Sequence, residues 1–263
     1  MTTIAITGSA GRMGVRLIAV AHENPEIKVV AAIERGDSPH LEKDAGEIAG
    51  VGKIGVPITS DLRVPCDVLI DFTVPAAMRH WLKVCRDRKI GMIVGTTGLQ
   101  EQDHALIDRA AGDIAILQAG NMSLGVTVMC KIVGEVAKML GDDYDVEVLE
   151  GHHRFKKDAP SGTAEMIAKS ILDALGRSKT DLQHGRHGAE CTRTKKEVGM
   201  HSLRMGDEVG LHTAYFGGLG ERLEITHKAT NRDTFVHGAL KAAQWLRQQK
   251  PGRYAIGDVL GIK

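Results

Sequence analysis

The residues best suited to chemistry lie in the run HHRFKK at 152–157, where two histidines, one arginine and two lysines fall within six positions. Cationic groups this close raise each other's cost of ionisation, so at least one should have a lowered pKa unless an anion neutralises it. Such a histidine or lysine is suited to act as a general acid or base. The run therefore predicts a proton donor beside an anionic ligand, although a solvated charged face has the same letters.

A predicted helix begins shortly after this run, at Ser161-Gly162-Thr163. Free N–H groups and hydroxyls at a helix start suit a carboxylate, and Lys156 can pair with that carboxylate or with a second one. Together these residues predict a pocket for a small dicarboxylate. A metal site is a weaker alternative, and none is predicted, because the adjacent His152 and His153 point to opposite faces of a strand.

A second chemical feature is the loop Gly8-Ser-Ala-Gly11-Arg-Met-Gly14, which follows a strand pattern and opens a helix pattern. Glycines there allow a tight turn and a close approach to a pyrophosphate, and the helix start supplies N–H groups. The spacing is G-x-x-G-x-x-G rather than the usual G-x-G-x-x-G. The loop favours dinucleotide binding over a simple strand-to-helix turn.

The end of the second predicted strand carries Glu34 and Arg35. An acid at this place accepts bonds from the adenine ribose hydroxyls, and a guanidinium can bind a 2′-phosphate. The pair is compatible with both NADH and NADPH, and also with an ordinary surface ion pair. Further candidate cofactor neighbours end other strands, at Asp71-Phe-Thr73, Gly95-Thr-Thr-Gly98 and Ala119-Gly-Asn-Met122.

The elements that must position these residues alternate in the first half of the chain. β-Branched runs predict strands at 4–7, 28–34, 67–72, 90–95 and 114–118, with helices at 11–23 and 75–88 between some of them. This alternation predicts a doubly wound parallel sheet, an α/β fold of the Rossmann type.

The pattern changes after a predicted boundary near Ser123. Helices are predicted at 125–140, near 163–175 and at 233–249, and strands at 145–150, 208–216 and 221–228, the last two as an antiparallel pair. The polar stretch 176–196 is predicted to be a surface loop plus a sheet edge.

Composition limits the function classes. Apolar residues make up 43 % of the 263, aromatic residues only 3 %, and the net charge is +1. A large core is therefore possible, whereas broad binding to nucleic acid or membranes is not expected. The cysteines Cys66, Cys85, Cys130 and Cys191 form no C-x-x-C pair, and no signal-peptide or membrane-span pattern is present, so a cytoplasmic protein is expected.

Nearly end to end, the chain resembles the dihydrodipicolinate reductase family, also called 4-hydroxy-tetrahydrodipicolinate reductases. The resemblance rests on GSAGRMG, Glu34–Arg35, DAGEIAG, DFT, GTTG, NMSLGV, EGHHRFKKDAPSGTA, GDEVGLHTAYF and GERLEITHKATNR. It implies NADH- or NADPH-dependent reduction of a cyclic imine dicarboxylate in the diaminopimelate route to lysine. It also implies a dinucleotide-binding domain of residues 1–123 and 233–263, an inserted mixed-sheet domain of residues 124–232 for substrate binding and tetramerisation, and a homotetramer.

The resemblance also assigns residues. His152 looks like the proton donor, and Lys156 like a second donor or a carboxylate ligand. The other implied substrate contacts are His153, Ser161, Gly162 and Thr163. The implied cofactor contacts are Gly8, Ser9, Ala10, Gly11, Arg12, Met13, Glu34, Arg35, Gly95, Thr96, Thr97, Ala119, Gly120, Asn121 and Met122. Arg232 lies at the return to the first domain.

Two positions depart from the family pattern, since Met122 stands where some relatives carry an aromatic residue and Gly120 replaces a bulkier small residue. Both affect the packing around the nicotinamide rather than the reaction class. The alternatives are a Rossmann reductase of another small acid, an amino-acid dehydrogenase, and a non-catalytic regulator that binds a nucleotide.

Overall fold

Buried strands alternate with helices through the first half of the chain, in a computed structural model that describes residues 1–262. The strands are buried on both faces because helices cover both, which explains their nearly continuous apolar sequences. The elements are β1 (Thr2–Thr7), α1 (Arg12–His22), β2 (Ile27–Ile33), α2 (Ala45–Ala49), β3 (Ile58–Thr59), β4 (Val68–Asp71), α3 (Pro75–Arg88), β5 (Gly91–Val94), α4 (Glu101–Ala111) and β6 (Ala115–Gln118).

The middle of the chain forms a second, mixed sheet. Its elements are α5 (Leu124–Leu140), β7 (Asp145–His152), α6 (Gly162–Leu175), β8 (Leu182–His184), β9 (Val198–Arg204), β10 (Gly210–Gly218) and β11 (Glu221–Ala229). The strand order is β11-β10-β7-β9-β8, antiparallel on the β10 side of β7 and parallel on the β9 side. Alternate residues of β7, such as Val146 and Val148, pack with residues of α5 and α6 in one core.

The last elements, α7 (Asp233–Leu246), β12 (Gly252–Tyr254) and α8 (Ile256–Val259), return to the first sheet. That sheet has the order β12-β6-β5-β4-β1-β2-β3, and all its pairs are parallel. Residues of α1 and α7 form the core on one face, and residues of α3 and α4 form it on the other. The chain divides into a first unit, Met1–Leu124 with the chain from Asp233 onward, and a second unit, Gly125–Arg232.

The predicted fold class is confirmed: a doubly wound parallel sheet with an inserted α+β unit. Strand β9 is absent from the predicted elements. Its inward positions carry Val198 and Met200 but then Ser202 and Arg204, so the apolar alternation stops halfway. Among residues 1–262, no helix has both the length and the apolar character needed to cross a membrane.

Candidate active site

The carboxyl end of β7 places an acid and a histidine side by side. Glu150 and His152 continue the face on which Val146 and Val148 are buried, because alternate residues of a strand share a face. The His152 Nδ1 lies 2.5 Å from Glu150 Oε2, and the Glu150 side chain is fully buried. An N–H at Nδ1 donates to this carboxylate, which leaves Nε2 for other chemistry.

Arg204, at the end of the neighbouring β9, holds the Glu150 carboxylate from the other side. Its Nη2 donates to Glu150 Oε1 at 2.7 Å and its Nη1 to Oε2 at 3.0 Å, while Nη2 also donates to the Asp158 carbonyl. Burial opposes ionisation of Glu150, but hydrogen bonds from Arg204, Ser202 and His152 outweigh it, so the pKa of Glu150 lies below its usual value. The carboxylate is therefore charged and fixed in place.

The pKa of His152 is also lowered. Burial is the main cause, the hydrogen bond and charge of Glu150 partly offset it, and the cations Lys156 and Arg204 lower the pKa further. The imidazole of the free protein is therefore mostly neutral at neutral pH. A bound dianion would favour the protonated ring, because an opposite charge nearby raises the pKa of a histidine.

His212 on β10 completes the cluster. It pairs with Glu150 across the strands, is 3 % exposed, and has its ring centre 5.2 Å from that of His152. Its Nε2 lies 3.1 Å from Ser161 Oγ, and its buried Nδ1 has no hydrogen-bond partner among the described residues. Burial, together with repulsion from His152, lowers the pKa of His212 to about 4, so this ring is neutral.

The helix start at α6 lies beside this cluster. Ser161 is the N-cap residue, and its hydroxyl accepts a hydrogen bond from the Ala164 N–H at 3.2 Å. The hydroxyl is thus engaged by Ala164 and His212, and Ser161 is only 2 % exposed. Ser161 supports the helix start, whereas the first-turn residues Gly162 and Thr163 present the helix end that attracts an anion.

Lys156 and His153 occupy the loop between β7 and α6. The Lys156 ammonium donates to both carboxylate oxygens of Asp158, at 2.8 and 2.9 Å, and its side chain is 20 % exposed. His153 is half-buried, its ring centre lies 6.4 Å from that of the exposed Phe155, and its buried Nδ1 has no partner within residues 1–262. A substrate carboxylate that binds Lys156 must therefore share this cation with Asp158 or displace the Asp158 carboxylate.

Glu150, His152 and His212 also have potential metal-ligand atoms within 4.8 Å of one another. The sequence pattern raises only His152 and His153 as a ligand pair, so it does not predict this trio. However, Arg204 occupies both oxygens of Glu150, and its positive charge opposes a cation. The arrangement favours a proton-handling cluster over a metal centre.

In the first unit, the glycine loop between β1 and α1 has the geometry of a pyrophosphate cradle. Gly8 has φ of +62°, in the left-handed region, and a Cβ at Gly14 would lie 2.2 Å from the Gly8 carbonyl oxygen. The Ser9 hydroxyl is fully buried and lacks a hydrogen-bond partner in the described part of the chain. An unpaired buried hydroxyl in such a loop fits a ligand that supplies an acceptor.

Glu34 and Arg35 follow β2 and lie beside this loop. Glu34 Oε1 accepts from the Ala10 N–H at 2.9 Å, and Oε2 accepts from the Arg35 N–H at 3.3 Å. A cavity of about 520 Å³ opens next to them, lined by Thr7, Gly8, Ile33, Glu34, Arg35, Gly36, Ser60, Thr73, Val74, Ala77, His80 and Trp81. The cavity lies at the carboxyl ends of the strands, where such sheets bind ligands.

The other predicted cofactor segments also lie at these strand ends, and a buried carboxylate ties two of them together. Asp71 is fully buried and accepts from the hydroxyls of Thr7 at 2.7 Å, Thr73 at 2.6 Å and Thr96 at 2.5 Å. The Thr96 hydroxyl is therefore engaged inside the protein, whereas Thr97 is exposed. The same network fixes the loops that follow β4 and β5.

The segment Ala119–Met122 follows β6. Met122 is 1 % exposed and packs in the core with α7, and a Cβ at Gly238 would lie 1.7 Å from its carbonyl oxygen. The Met122 side chain thus supports the loop from behind, and Ala119, Gly120 and Asn121 form its more accessible part.

Comparison with known proteins identifies this pair of units. Residues 2–122 match the model of the dihydrodipicolinate reductase N-terminus, and residues 125–260 match that of its C-terminus. The 4-hydroxy-tetrahydrodipicolinate reductases of Geotalea uraniireducens (strain Rf4) and Hahella chejuensis (strain KCTC 2396) are each 47 % identical to the chain, over all of both proteins. The chain belongs to the dihydrodipicolinate reductase family. The predictions of this family and of a reductase are confirmed.

A solved structure supports the fold of this family member independently. The dipicolinate-bound dihydrodipicolinate reductase from Paenisporosarcina sp. TG-14 has a TM-score of 0.75 and 23 % identity, and the alignment covers 98 % of this chain and 99 % of that one. At this identity the likeness shows the fold alone, and the alignment covers both units.

Three residues of the cluster were missed as functional candidates: Glu150, Arg204 and His212. Glu150 was detectable, because an acid two residues before a histidine on a strand shares its face. Arg204 lies on the unpredicted β9. His212 lies on a predicted strand, but only the strand register places it opposite Glu150.

Proposed function

We propose that the chain reduces 4-hydroxy-tetrahydrodipicolinate, a cyclic imine dicarboxylate, to tetrahydrodipicolinate in the diaminopimelate route to lysine. The substrate gains a hydride from NADH or NADPH and a proton from the site, and the 4-hydroxyl leaves as water. The observation that carries this proposal is the pairing of His152 with the buried, arginine-held Glu150, in a chain that matches the family over its whole length. A non-catalytic nucleotide-binding regulator would have no use for such a pair.

The first unit would hold the nucleotide. The Gly8–Met13 loop and the start of α1 suit the pyrophosphate, and Glu34 suits the adenine ribose. Thr97 and the segment Ala119–Asn121 suit the nicotinamide end, with Gly95, Thr96 and Met122 supporting them. When bound, the nicotinamide supplies the hydride.

The second unit would bind the two carboxylates of the substrate. The α6 N-terminus at Gly162 and Thr163 suits one of them, because N–H groups and the helix dipole favour an anion. Lys156 and His153 suit the other, since Lys156 is a cation and His153 has a buried, unpaired Nδ1. The negative charge of the bound dianion would raise the pKa of His152, which is otherwise low, and so favour its protonated form.

His152 would donate that proton from Nε2 to the substrate, while Nδ1 stays bonded to Glu150. The carboxylate stabilises the imidazolium before donation and fixes the ring orientation. Arg204 prevents Glu150 from taking the proton itself, because it stabilises the ionised carboxylate. His212 remains neutral and adds no positive charge next to the donor.

A coupled assay tests the reaction. Pyruvate, aspartate semialdehyde and a dihydrodipicolinate synthase generate the substrate in place, and nicotinamide absorbance reports turnover with NADH and NADPH in parallel. We expect rapid oxidation that requires the synthase. A folded chain that binds the nucleotide without oxidising it would refute the proposal and favour the regulator, and turnover on another acid in a substrate panel would favour a different reductase.

The donor role predicts the behaviour of His152→Ala. Loss of a general acid should lower turnover by roughly 10²–10⁴-fold and leave nucleotide affinity unchanged, because His152 belongs to the second unit. Stopped-flow turnover and nucleotide titration check both expectations. The matched control is His153→Ala, which should raise the substrate KM more than it lowers kcat. Wild-type-like turnover of His152→Ala would contradict the donor role.

We further propose that the second unit assembles a homotetramer and that the enzyme works in the cytoplasm. Helices α5 and α6 cover one face of the five-stranded sheet, so the other face is available for assembly. All four cysteines are free thiols, which suits a reducing compartment. Size-exclusion chromatography coupled to light scattering measures the mass of the assembly, and a monomeric mass at micromolar protein concentration would refute the proposed homotetramer.

A further inference from the structure

The cavity beside Glu34 and Arg35 carries charges that bear on the choice between NADH and NADPH. Its ionisable lining residues are Glu34, Arg35 and His80. NADPH differs from NADH by a 2′-phosphate, which carries a charge of about −1.5 to −2 near neutral pH, as phosphate monoesters do. The balance of carboxylates and cations near this position therefore decides the preference.

Glu34 is a fixed negative charge at this place. Both of its oxygens accept backbone N–H bonds, from Ala10 in the glycine loop and from Arg35. To move away from a 2′-phosphate, the side chain would have to give up both bonds. Glu34 therefore favours a ribose hydroxyl, which can donate to it, over a phosphate, which it repels.

Arg35 is the cation available to offset Glu34, but it is not committed to the cavity. Its side chain is 82 % exposed, and its Nε lies 3.5 Å from Oδ1 of Asp37, whose side chain is 72 % exposed. Such an exposed pair contributes little to stability, so either partner is free to act on a ligand. Asp37 nevertheless adds a second carboxylate within a few ångströms of the guanidinium that a phosphate would need.

We propose that Asp37 is a specificity-determining residue, which repels the 2′-phosphate, so that the chain prefers NADH to NADPH. The inference rests on the proposed function, since it concerns the nucleotide of that reaction. It adds a residue outside the cavity lining to the determinants of cofactor choice.

The size of the effect follows from Coulomb's law. A carboxylate about 7 Å from a dianion in water raises the Kd about fivefold at 10 mM ionic strength, where the Debye length is about 30 Å. At 0.5 M salt, screening reduces the factor to under about twofold. The effect should therefore be specific to NADPH and sensitive to salt.

The test titrates NADH and NADPH into the full-length chain and into Asp37→Asn, at low and high salt, by fluorescence. The matched control is Asp87→Asn, which removes an exposed carboxylate paired with Lys83 at the far end of α3. We expect wild type to bind NADH more tightly. Asp37→Asn should tighten NADPH binding about fivefold at 10 mM salt and leave NADH within about twofold, while Asp87→Asn changes neither.

Three results would overturn the proposal: equal changes for both nucleotides in Asp37→Asn, a change in NADPH binding that persists at 0.5 M salt, or wild-type preference for NADPH. In each of these cases NADH still binds, so the proposed function survives. A wild-type chain that binds neither nucleotide would instead refute the proposed function, and this inference with it.

Discussion

Replacing Glu150 by glutamine is the sharpest perturbation of the proposed proton donor. The substitution keeps the size of the side chain and removes its charge at a fully buried position. In wild type, the carboxylate accepts from His152 Nδ1 and from both Nη atoms of Arg204. The amide has a single oxygen acceptor, so its NH₂ group must face one of these donors.

The expected magnitude follows from the bond that is lost. A hydrogen bond to a charged group contributes about 1.5–3 kcal/mol, which corresponds to about one to two pKa units of the imidazole. Because Glu150 raises the pKa of His152, its removal lowers that pKa further below the ordinary value. A general acid works only when protonated, so the high-pH limb of the activity profile should move down by about one to two pH units.

The assay measures kcat and kcat/KM of Glu150→Gln against pH under saturating nucleotide. At pH 7.5 we expect a loss of about 10–100-fold, because each unit above the pKa costs a factor of ten in protonated donor. Towards pH 5.5 the difference from wild type should shrink. Thermal unfolding at each pH verifies that the variant remains folded.

The same strand offers a matched control. Glu147 lies on the opposite face of β7, where it also accepts from two arginines and a histidine: Arg186, Arg193 and His201. Glu147→Gln should leave the pH limb in place. A Glu150→Gln profile that falls equally at every pH, or a shift that Glu147→Gln reproduces, would show that Glu150 has only a structural role.

Two other substitutions test the surrounding structure. The pKa of His212 is about 4 when folded and ordinarily 6.5, so the stability it contributes is complete above pH 6.5 and is lost as pH falls towards 4, by up to about 3 kcal/mol. As the pH is lowered over that range, the melting temperature of His212→Gln should fall less steeply than that of wild type or of the exposed-site control His187→Gln. Equal pH dependence in all three proteins would contradict the low pKa of His212. Gly14→Ala places a Cβ 2.2 Å from the Gly8 carbonyl oxygen, so the affinity for the nucleotide should fall at least tenfold. In the control Gly112→Ala, the nearest atom to the new Cβ is 3.4 Å away, and nucleotide affinity should not change. An unchanged nucleotide affinity in Gly14→Ala would show that the close approach is irrelevant.

The parallel sheet was predictable because its signals are local. The longer strands of the first unit carry β-branched residues. Pro75 marks the start of α3, because proline suits the first turn of a helix. The short elements were not predicted, since β3 spans two residues and β12 three. Such elements exist because neighbouring strands pair with them, not because of their own sequence preference.

The DAGEIAG motif shows how a family signature can be structural. The Asp44 carboxylate accepts from the N–H groups of Gly46, Ile54 and Gly55, and so caps α2 and holds the following loop. A Cβ at Gly46 would meet the Gly52 carbonyl oxygen at 2.3 Å. Hydrogen bonding thus explains Asp44 and close packing explains Gly46, so this motif has a structural role although it is as distinctive in the sequence as the HHRFKK run.

The site divides in the same way between local and non-local information. The run that contains His152 and the helix start at Gly162 lie close together in sequence, so residue types and spacing predicted a proton donor beside an anion site there. The family resemblance then singled out His152 as the donor. The proposed role of His152 also depends on Arg204 and His212, which reach the His152–Glu150 pair only through the register of β9 and β10 against β7. A one-residue slip of β10 would turn His212 to the opposite face, and a one-residue slip of β9 would turn Arg204 away and leave Glu150 buried without its cation. The strand register of the second sheet therefore positions the proposed proton donor, although no single residue of the sequence reveals that register.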